Sequence, residues 1–419
     1  MTTITKDTLS EKFLAHLSSV KDEAALNLLR DKGLPTTKNE EYKFTAITKK
    51  IEAEITDFSQ ASPALISDQD IQAALIPDLD AYLLVLNNGG YDPNHSSLPI
   101  ENFSLSVISD GEAVPFLVTD ITNDPFMALN KVSYQKGIYI KLPKKTVLDK
   151  PVMVLNFVQA SSGQVITPKI WIEGAENTEA VFLEKTISLD ENPYFLNGSV
   201  EVRTEANSHL HYYRIQNHSK QAIEVNSFHA DVNRDATFTS FVLSLQANMI
   251  RNNTSLNLLG SGCVGNMYGL YILNGKAHVD NHTNVDHTQP HCDSNELYKG
   301  ILADSSRGVF NGKIFVRQDA QKTNAFQQNN NILLSEDAII NTKPQLEIWA
   351  DDVKCSHGCT TGQLDEEALF YLRARGIGKE QARALLLYAF AGDVIEHIKI
   401  DAFKEYCVDL IHKTLGTNF

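Results

Sequence analysis

The chain has 419 residues, 42% of them hydrophobic, which suits two or three domains or one long β architecture with a large core. Its 37 basic and 52 acidic residues leave a formal charge of −15, which argues against a nucleic-acid or anionic-membrane surface. No stretch approaches the ~20 apolar residues of a bilayer helix, and MTTITKDTLSEKF has no signal-peptide core, so the expected compartment is the cytoplasm.

From Asp7 to Arg30, Leu9, Phe13, Leu17, Ala24, Leu26 and Leu29 recur at helical spacing until Gly33-Leu34-Pro35, which predicts two short helices. AYLLVLNNGG reads as a strand closed by a turn, and Pro125 to Val132 as another short helix. Residues 1–136 are therefore expected to form a mixed α/β cap. From about Gly137 to Thr361, β-branched and aromatic runs such as IYIKL, VMVLNFV, KIWIE and YGLYIL alternate with polar turns, with no convincing helix.

Small residues stand at turn positions 175, 206, 236 and 263, and this recurrence near 30 residues suggests stacked coils. A sandwich would not require it; a β-helix would, because each coil must land on the last to bury its apolar face. The Asn and Gln of NAFQQNNNILLSEDA are expected at turns, in side-chain ladders. Residues 137–362 are thus expected to be a parallel β-helix core, and residues 363–419 a helical domain. There Asp365 caps EEALFYLRAR, Gly376 stops it, a second helix runs from about Lys379 to Ala391, and a third from Asp401 to Leu415 ends at Gly416. Ala382, Leu385, Leu386, Ala389 and Phe390 make a stripe too wide for three short helices to bury, so it packs on the β body or on another protein.

Five cysteines, an odd number, do not read as a disulfide framework and are free for metal or sulfur chemistry or for packing. Cys355, His357 and Cys359 alternate along a strand, so they share one face and offer soft ligands suited to iron, iron–sulfur clusters or zinc. Alternate positions are about 7 Å apart and diverge with strand twist, so a second chain would have to complete the shell. His278, His282, His287, His291 and Cys292 are dense, but their spacing fits no zinc template; Asp280 and Asp286 could simply hydrogen-bond the imidazoles across coils. GSGCVG at 260–265 has dinucleotide-loop spacing, yet the strand-like NMYGLYIL behind it denies the helix N-terminus a phosphate needs. A carbohydrate-active β-helix would need paired carboxylates, for which Asp286 with Asp293, or Asp351 with Asp352, are the candidates.

KCSHG followed by TTGQLDEEALFYLRARGI resembles the C-terminal signature of the SufD family, of the SUF iron–sulfur cluster assembly system. GLPTTKNEEYKFT at 33–45, PFMALNKVSYQKGIYIKLP at 125–143 and LYKGIL at 297–302 resemble further family segments in the expected order. The resemblance implies a right-handed parallel β-helix with flanking helical domains, and a non-catalytic scaffold subunit that pairs with SufB and binds the ATPase SufC through its C-terminal helices. It implies that Cys355 and His357 contribute to a nascent cluster or iron site shared with SufB, with no cofactor tightly bound to the isolated chain and a reduced flavin conceivable in the complex. Cys359 stands where the family commonly has alanine. SufB is longer and has additional N-terminal cysteines, whereas no cysteine here precedes 263; a fused or ancestral SufB-type scaffold, and a homodimer of the isolated chain, are the remaining alternatives.

Overall fold

A computed structural model describes residues 8–16, 22–99, 103–109, 112, 115–116, 124–161 and 163–416. Asp7 and Leu17 of the N-terminal helical pattern lie outside these residues, as do the first seven residues of MTTITKDTLSEKF. The N-terminal part comprises α1 (Thr8–Leu14), α2 (Glu23–Lys32), a short 3-10 turn (Glu40–Tyr42), α3 (Ile47–Glu54), α4 (Asp68–Ala74), β1 (Tyr82–Asn87), β2 (Gly90–Tyr91), β3 (Ser104–Ser109) and α5 (Pro125–Ser133). The strands that follow are β4 (Lys136–Leu142), β5 (Val152–Val158), β6 (Gln164–Ile166), β7 (Lys169–Gly174), β8 (Glu179–Ser188), β9 (Tyr194–Thr204), β10 (His209–Asn217), β11 (Ile223–Val232) and β12 (Thr237–Gln246). They continue as β13 (Met249–Leu258), β14 (Val264–Leu273), β15 (His278–His287), β16 (Asp293–Leu302), β17 (Arg307–Val316), β18 (Asn324–Leu333), β19 (Ile339–Ile348) and β20 (Lys354–Gly362). Three helices end the chain: α6 (Glu366–Ala374), α7 (Lys379–Ile395) and α8 (Asp401–Leu415).

The strands form a parallel β-solenoid of about eight turns. One sheet runs β2-β1-β5-β8-β10-β12-β14-β16-β18-β20 and the other β19-β17-β15-β13-β11-β9-β7-β4-β3. From β7 onward consecutive strands alternate between the sheets, so each pair is one coil. In the first sheet Glu179, His209, Thr237, Val264, Asp293, Asn324 and Lys354 stack in register.

The residues before the first six, Thr178, Ser208, Ala236, Cys263, Cys292 and Thr323, are all fully buried. One position earlier, Asn177, Asn207, Asp235, Gly262, His291 and Lys322 all have positive φ, near +60°. A coil closes on a left-handed residue followed by a small buried one. Asn, Asp and Gly accept that backbone readily. Ala236 and Cys263 of the expected turn markers lie in this column; Ala175 and Ala206 precede it, because the turns differ in length. The Asn and Gln of NAFQQNNNILLSEDA are not turn residues but strand β18, with Gln327, Asn329 and Asn331 buried inside the solenoid and Tyr271 among their partners.

The solenoid interior is one apolar cluster. Outside the first sheet, α7 and α8 lay Leu387, Ala391, Val394, Phe403, Cys407 and Ile411 against Tyr213, Phe241, Leu243 and Leu270. The expected packing of the C-terminal stripe on the β body is therefore realised. Its buried face is shifted, however: Ala389 is exposed, and α7 runs on to Ile395, past Gly392, so that Val394 and Ile395 join the core. Asp365 caps α6, accepting from the Glu367 and Ala368 amides at 2.9 and 3.1 Å, and Gly416 ends α8 at φ 72°. Outside the second sheet, α1, α2, α3 and α5 pack through Phe13, Leu26, Ile47, Ile51 and Phe126. Helices α3 and α4 were not anticipated, since IEAEI and DIQAA are too short to establish a period.

Inside adjacent coils, glycines make room for tyrosines: a Cβ on Gly269 would stand 2.2 Å from the Tyr298 ring, and one on Gly300 2.3 Å from Tyr271. Gly269→Ala should cost about 1–3 kcal/mol by overpacking. A lowered denaturation midpoint with an unchanged far-ultraviolet circular dichroism spectrum is the expected outcome.

Candidate functional site

Among the described residues β20 pairs only with β18, and β19 only with β17, so both sheets stop at the same end of the solenoid with an unpaired edge. In β20, Cys355, His357 and Cys359 lie opposite Ala325, Gln327 and Asn329. Those three are buried at 0, 3 and 0% exposure, so the register carries the Cys-His-Cys row along the inward-facing column. With no further coil above it, that row faces an open end. Cys355 is partly buried against the core, which pushes its thiol pKa up; His357 and Cys359 are exposed. Among the described residues no group of three or more His, Cys, Asp or Glu side chains is placed to hold a metal ion. All five cysteines are free thiols.

Beneath this row lies a buried polar layer that the sequence reading did not identify. Gln327 Nε2 and Thr283 Oγ1 donate to Glu296 Oε2 at 2.9 and 2.8 Å, and burial pushes the Glu296 carboxyl up to about 7. Asn329 Nδ2 donates to Tyr271 Oη (3.2 Å), and Asn331 Nδ2 donates to Asn329 Oδ1 (2.8 Å) and to the β20 carbonyl of Thr360 (3.4 Å). QQNNN is polar at every position and carries no signal of which residues face inward; that is set by the register with the coil below.

The histidine cluster is divided by the same alternation. His278 and His282 face outward to the N-terminal segment, His287 faces inward to Ser294 Oγ (2.9 Å), and His291 occupies a left-handed turn. Asp280 and Asp286 do not bond the imidazoles: Asp280 pairs with Arg251 and accepts from Thr45 Oγ1 (2.5 Å), while Asp286 pairs with Arg317 (2.7 Å). GSGCVG is the tight turn into strand β14, where a Cβ on Gly260 would stand 2.1 Å from the Arg234 nitrogen of the coil below. The carboxylates nominated for sugar chemistry do not pair: Asp293 accepts from Asn324 (2.7 Å), and Asp352 pairs with Lys322 at the surface.

The outward residues form a clasp on the segment GLPTTKNEEYKFT. Glu41 accepts from Lys313 (2.7 Å), Asn311 (3.0 Å) and His282 Nε2 (2.9 Å), Glu40 pairs with Lys343, and the Arg251 guanidinium lies over the Tyr42 ring. Arg251 also reaches His282 Nδ1; since a guanidinium only donates, this holds the imidazole neutral with its proton on Nε2. Burial first, and then Arg251, lower the His282 pKa. A cleft of about 470 Å³ opens beside the clasp, but its cations Arg251, Lys313 and Arg317 are each already paired with an acid. It is the seam between segment and sheet.

Two consequences are measurable. Arg251→Met strands buried Asp280 and should cost about 3–5 kcal/mol, with faster proteolysis in residues 33–45. A histidine whose folded pKa is depressed stabilises above its unfolded value, near 6.5, and that stability is lost as pH falls toward the folded value. Cleavage of this segment should therefore accelerate from pH 7 to 5, and His282→Gln should flatten that dependence.

Residues 157–390 match the SUF system FeS cluster assembly, SufBD core domain, and residues 3–154 match the SufBD protein N-terminal region. The chain is 31% identical over 389 residues to the iron–sulfur cluster assembly protein SufD of Escherichia coli, covering 91% of this chain and 90% of the relative. It is 28% identical to a SufBD family protein of Synechocystis sp., covering 91% and 87%. It is also 28% identical to SufD of Bacillus subtilis, covering 68% and 66%. The chain belongs to the SufBD family and is a SufD-type iron–sulfur cluster assembly protein.

Proposed function

We propose that this chain is one half of a cluster-building scaffold in the cytoplasm, joined to SufB at the open solenoid end and to the ATPase SufC through its C-terminal helices. The observation that carries the reading is the inward-facing Cys355–His357 row at an end where both sheets expose edges. Unpaired parallel edges are templates for another chain, and a stable protein leaves them bare only when something covers them. In this reading SufB continues the sheets and supplies the remaining thiolates, so that the nascent cluster or iron, which is cargo, is held by both subunits. Cys355 gives a thiolate once its burial is relieved, and His357 gives a neutral imidazole nitrogen.

ATP turnover belongs to SufC in this scheme, and closure of two SufC subunits would twist the helical ends and open the junction to incoming iron and sulfur. A reduced flavin would act in the complex as an electron source. The SufC surface is α6, where Phe370 and Tyr371 are 72 and 56% exposed while α7 and α8 hold the helix to the β body. A homodimer would form through the same edges when SufB is absent.

His357→Ala, co-expressed with SufB and SufC, should leave the complex assembled but lower its iron and acid-labile sulfide at least about tenfold. Unchanged cluster content would remove the ligand assignment. Phe370→Glu with Tyr371→Glu should abolish co-purification of SufC while SufB remains bound; retention of SufC would place its surface elsewhere.

A further inference from the structure

Away from the open end, two of the remaining cysteines meet. Cys263 and Cys292 occupy the same turn column in successive coils, since the residues after them, Val264 and Asp293, are register partners. Neighbouring parallel strands are about 4.8 Å apart, within the Cα separation a disulfide spans. Both sulfurs lie against one acceptor, the Gly260 carbonyl, at 2.8 and 3.2 Å. Both residues are fully buried.

Packing accounts for a single thiol here, because Ser208 and Thr323 fill the same column and donate to the carbonyl three residues back, as Cys263 does. It does not account for the chemistry around the pair. Cys263 also has the carbonyls of Val232 and Asn233 within 3.2 and 3.1 Å, an acceptor nest that keeps its proton in place. Cys292 faces fewer and more distant carbonyls, Gly260 at 3.2 Å and Pro290 at 3.6 Å, so it is the thiol held less firmly in its protonated form, and Cys263 and then His287 favour its thiolate. His287 is fully buried, with Nε2 on Ser294 Oγ, and is among the groups that favour the Cys292 thiolate.

We infer that Cys263 and Cys292 are a peroxide-sensitive dithiol that closes into a disulfide between consecutive coils. The Cys292 thiolate attacks one peroxide oxygen, the O–O bond breaks, and the released oxyanion takes up the proton that Cys292 gave up on ionising, to leave as water or an alcohol. The Cys263 thiol then attacks the sulfenic sulfur, forming the S–S bond and releasing water. In sum, two thiols and one hydroperoxide yield one disulfide, one alcohol (water, for hydrogen peroxide) and one water; the sulfurs are oxidised and the peroxide is reduced. This role is independent of any ligand role for Cys355 and His357.

The full-length chain is treated with hydrogen peroxide while folded, then unfolded, alkylated without reduction and mapped by mass spectrometry. The expected result is a peptide pair joined through Cys263 and Cys292, two hydrogens lighter than the free thiols and restored by dithiothreitol. In Cys292→Ser, which the serine-tolerant column accommodates, the bridge disappears and Cys263 is alkylated. The proposal is overturned if both residues are alkylated in a sample whose exposed Cys359 is oxidised, or if each is oxidised separately.

Discussion

Everything in this molecule depends on coil-on-coil register. A parallel strand in a solenoid satisfies its backbone only when the strand one coil away lies in step with it, and a slip of one residue would turn the whole apolar row outward. Val264 upon Thr237 and Asp293 upon Val264 are thus constraints on side-chain direction as much as hydrogen-bond pairings. The left-handed turn residue and the small buried residue after it restore the step after each coil.

The same constraint creates the site. A row that is core in one coil becomes the end row of the last: Ala325, Gln327 and Asn329 are sealed by β20, whereas Cys355, His357 and Cys359 have no described strand above them. The neighbouring interior changes to suit. Apolar residues give way to Glu296, Gln327, Asn329 and Asn331, a hydrogen-bonded layer that supports polar donors at the end of a hydrocarbon core. The solenoid also separates its surfaces, with the N-terminal segment clasped to one sheet, α7 and α8 on the other, and the open edges at the end.

Much of the fold was legible because stacked coils impose their period on the chain. The β runs from Gly137 onward, the Asp365 cap, the Gly416 stop and the alternation at 355, 357 and 359 all follow from local rules, and each has its counterpart in the structure. The errors arose where a local rule admitted two outcomes. QQNNN is polar enough for a turn yet lies in strand β18, where Tyr271 and Glu296 are hydrogen-bond partners for its buried side chains. In α7, Leu385 and Leu387 are equally apolar; which of them faces inward was decided by the sheet beneath.

The sequence by itself determined a coiled β body, terminal helices, and a Cys-His-Cys row whose members share a face, because strand alternation and repeat spacing are properties of consecutive residues. Tertiary structure alone decided what that face meets: that β20 is the last strand of its sheet, that the histidines divide between outward clasp, interior and turn, and that Cys263 stands upon Cys292. These are contacts between residues about thirty positions apart, and no local pattern records which side of a coil a neighbour will cover.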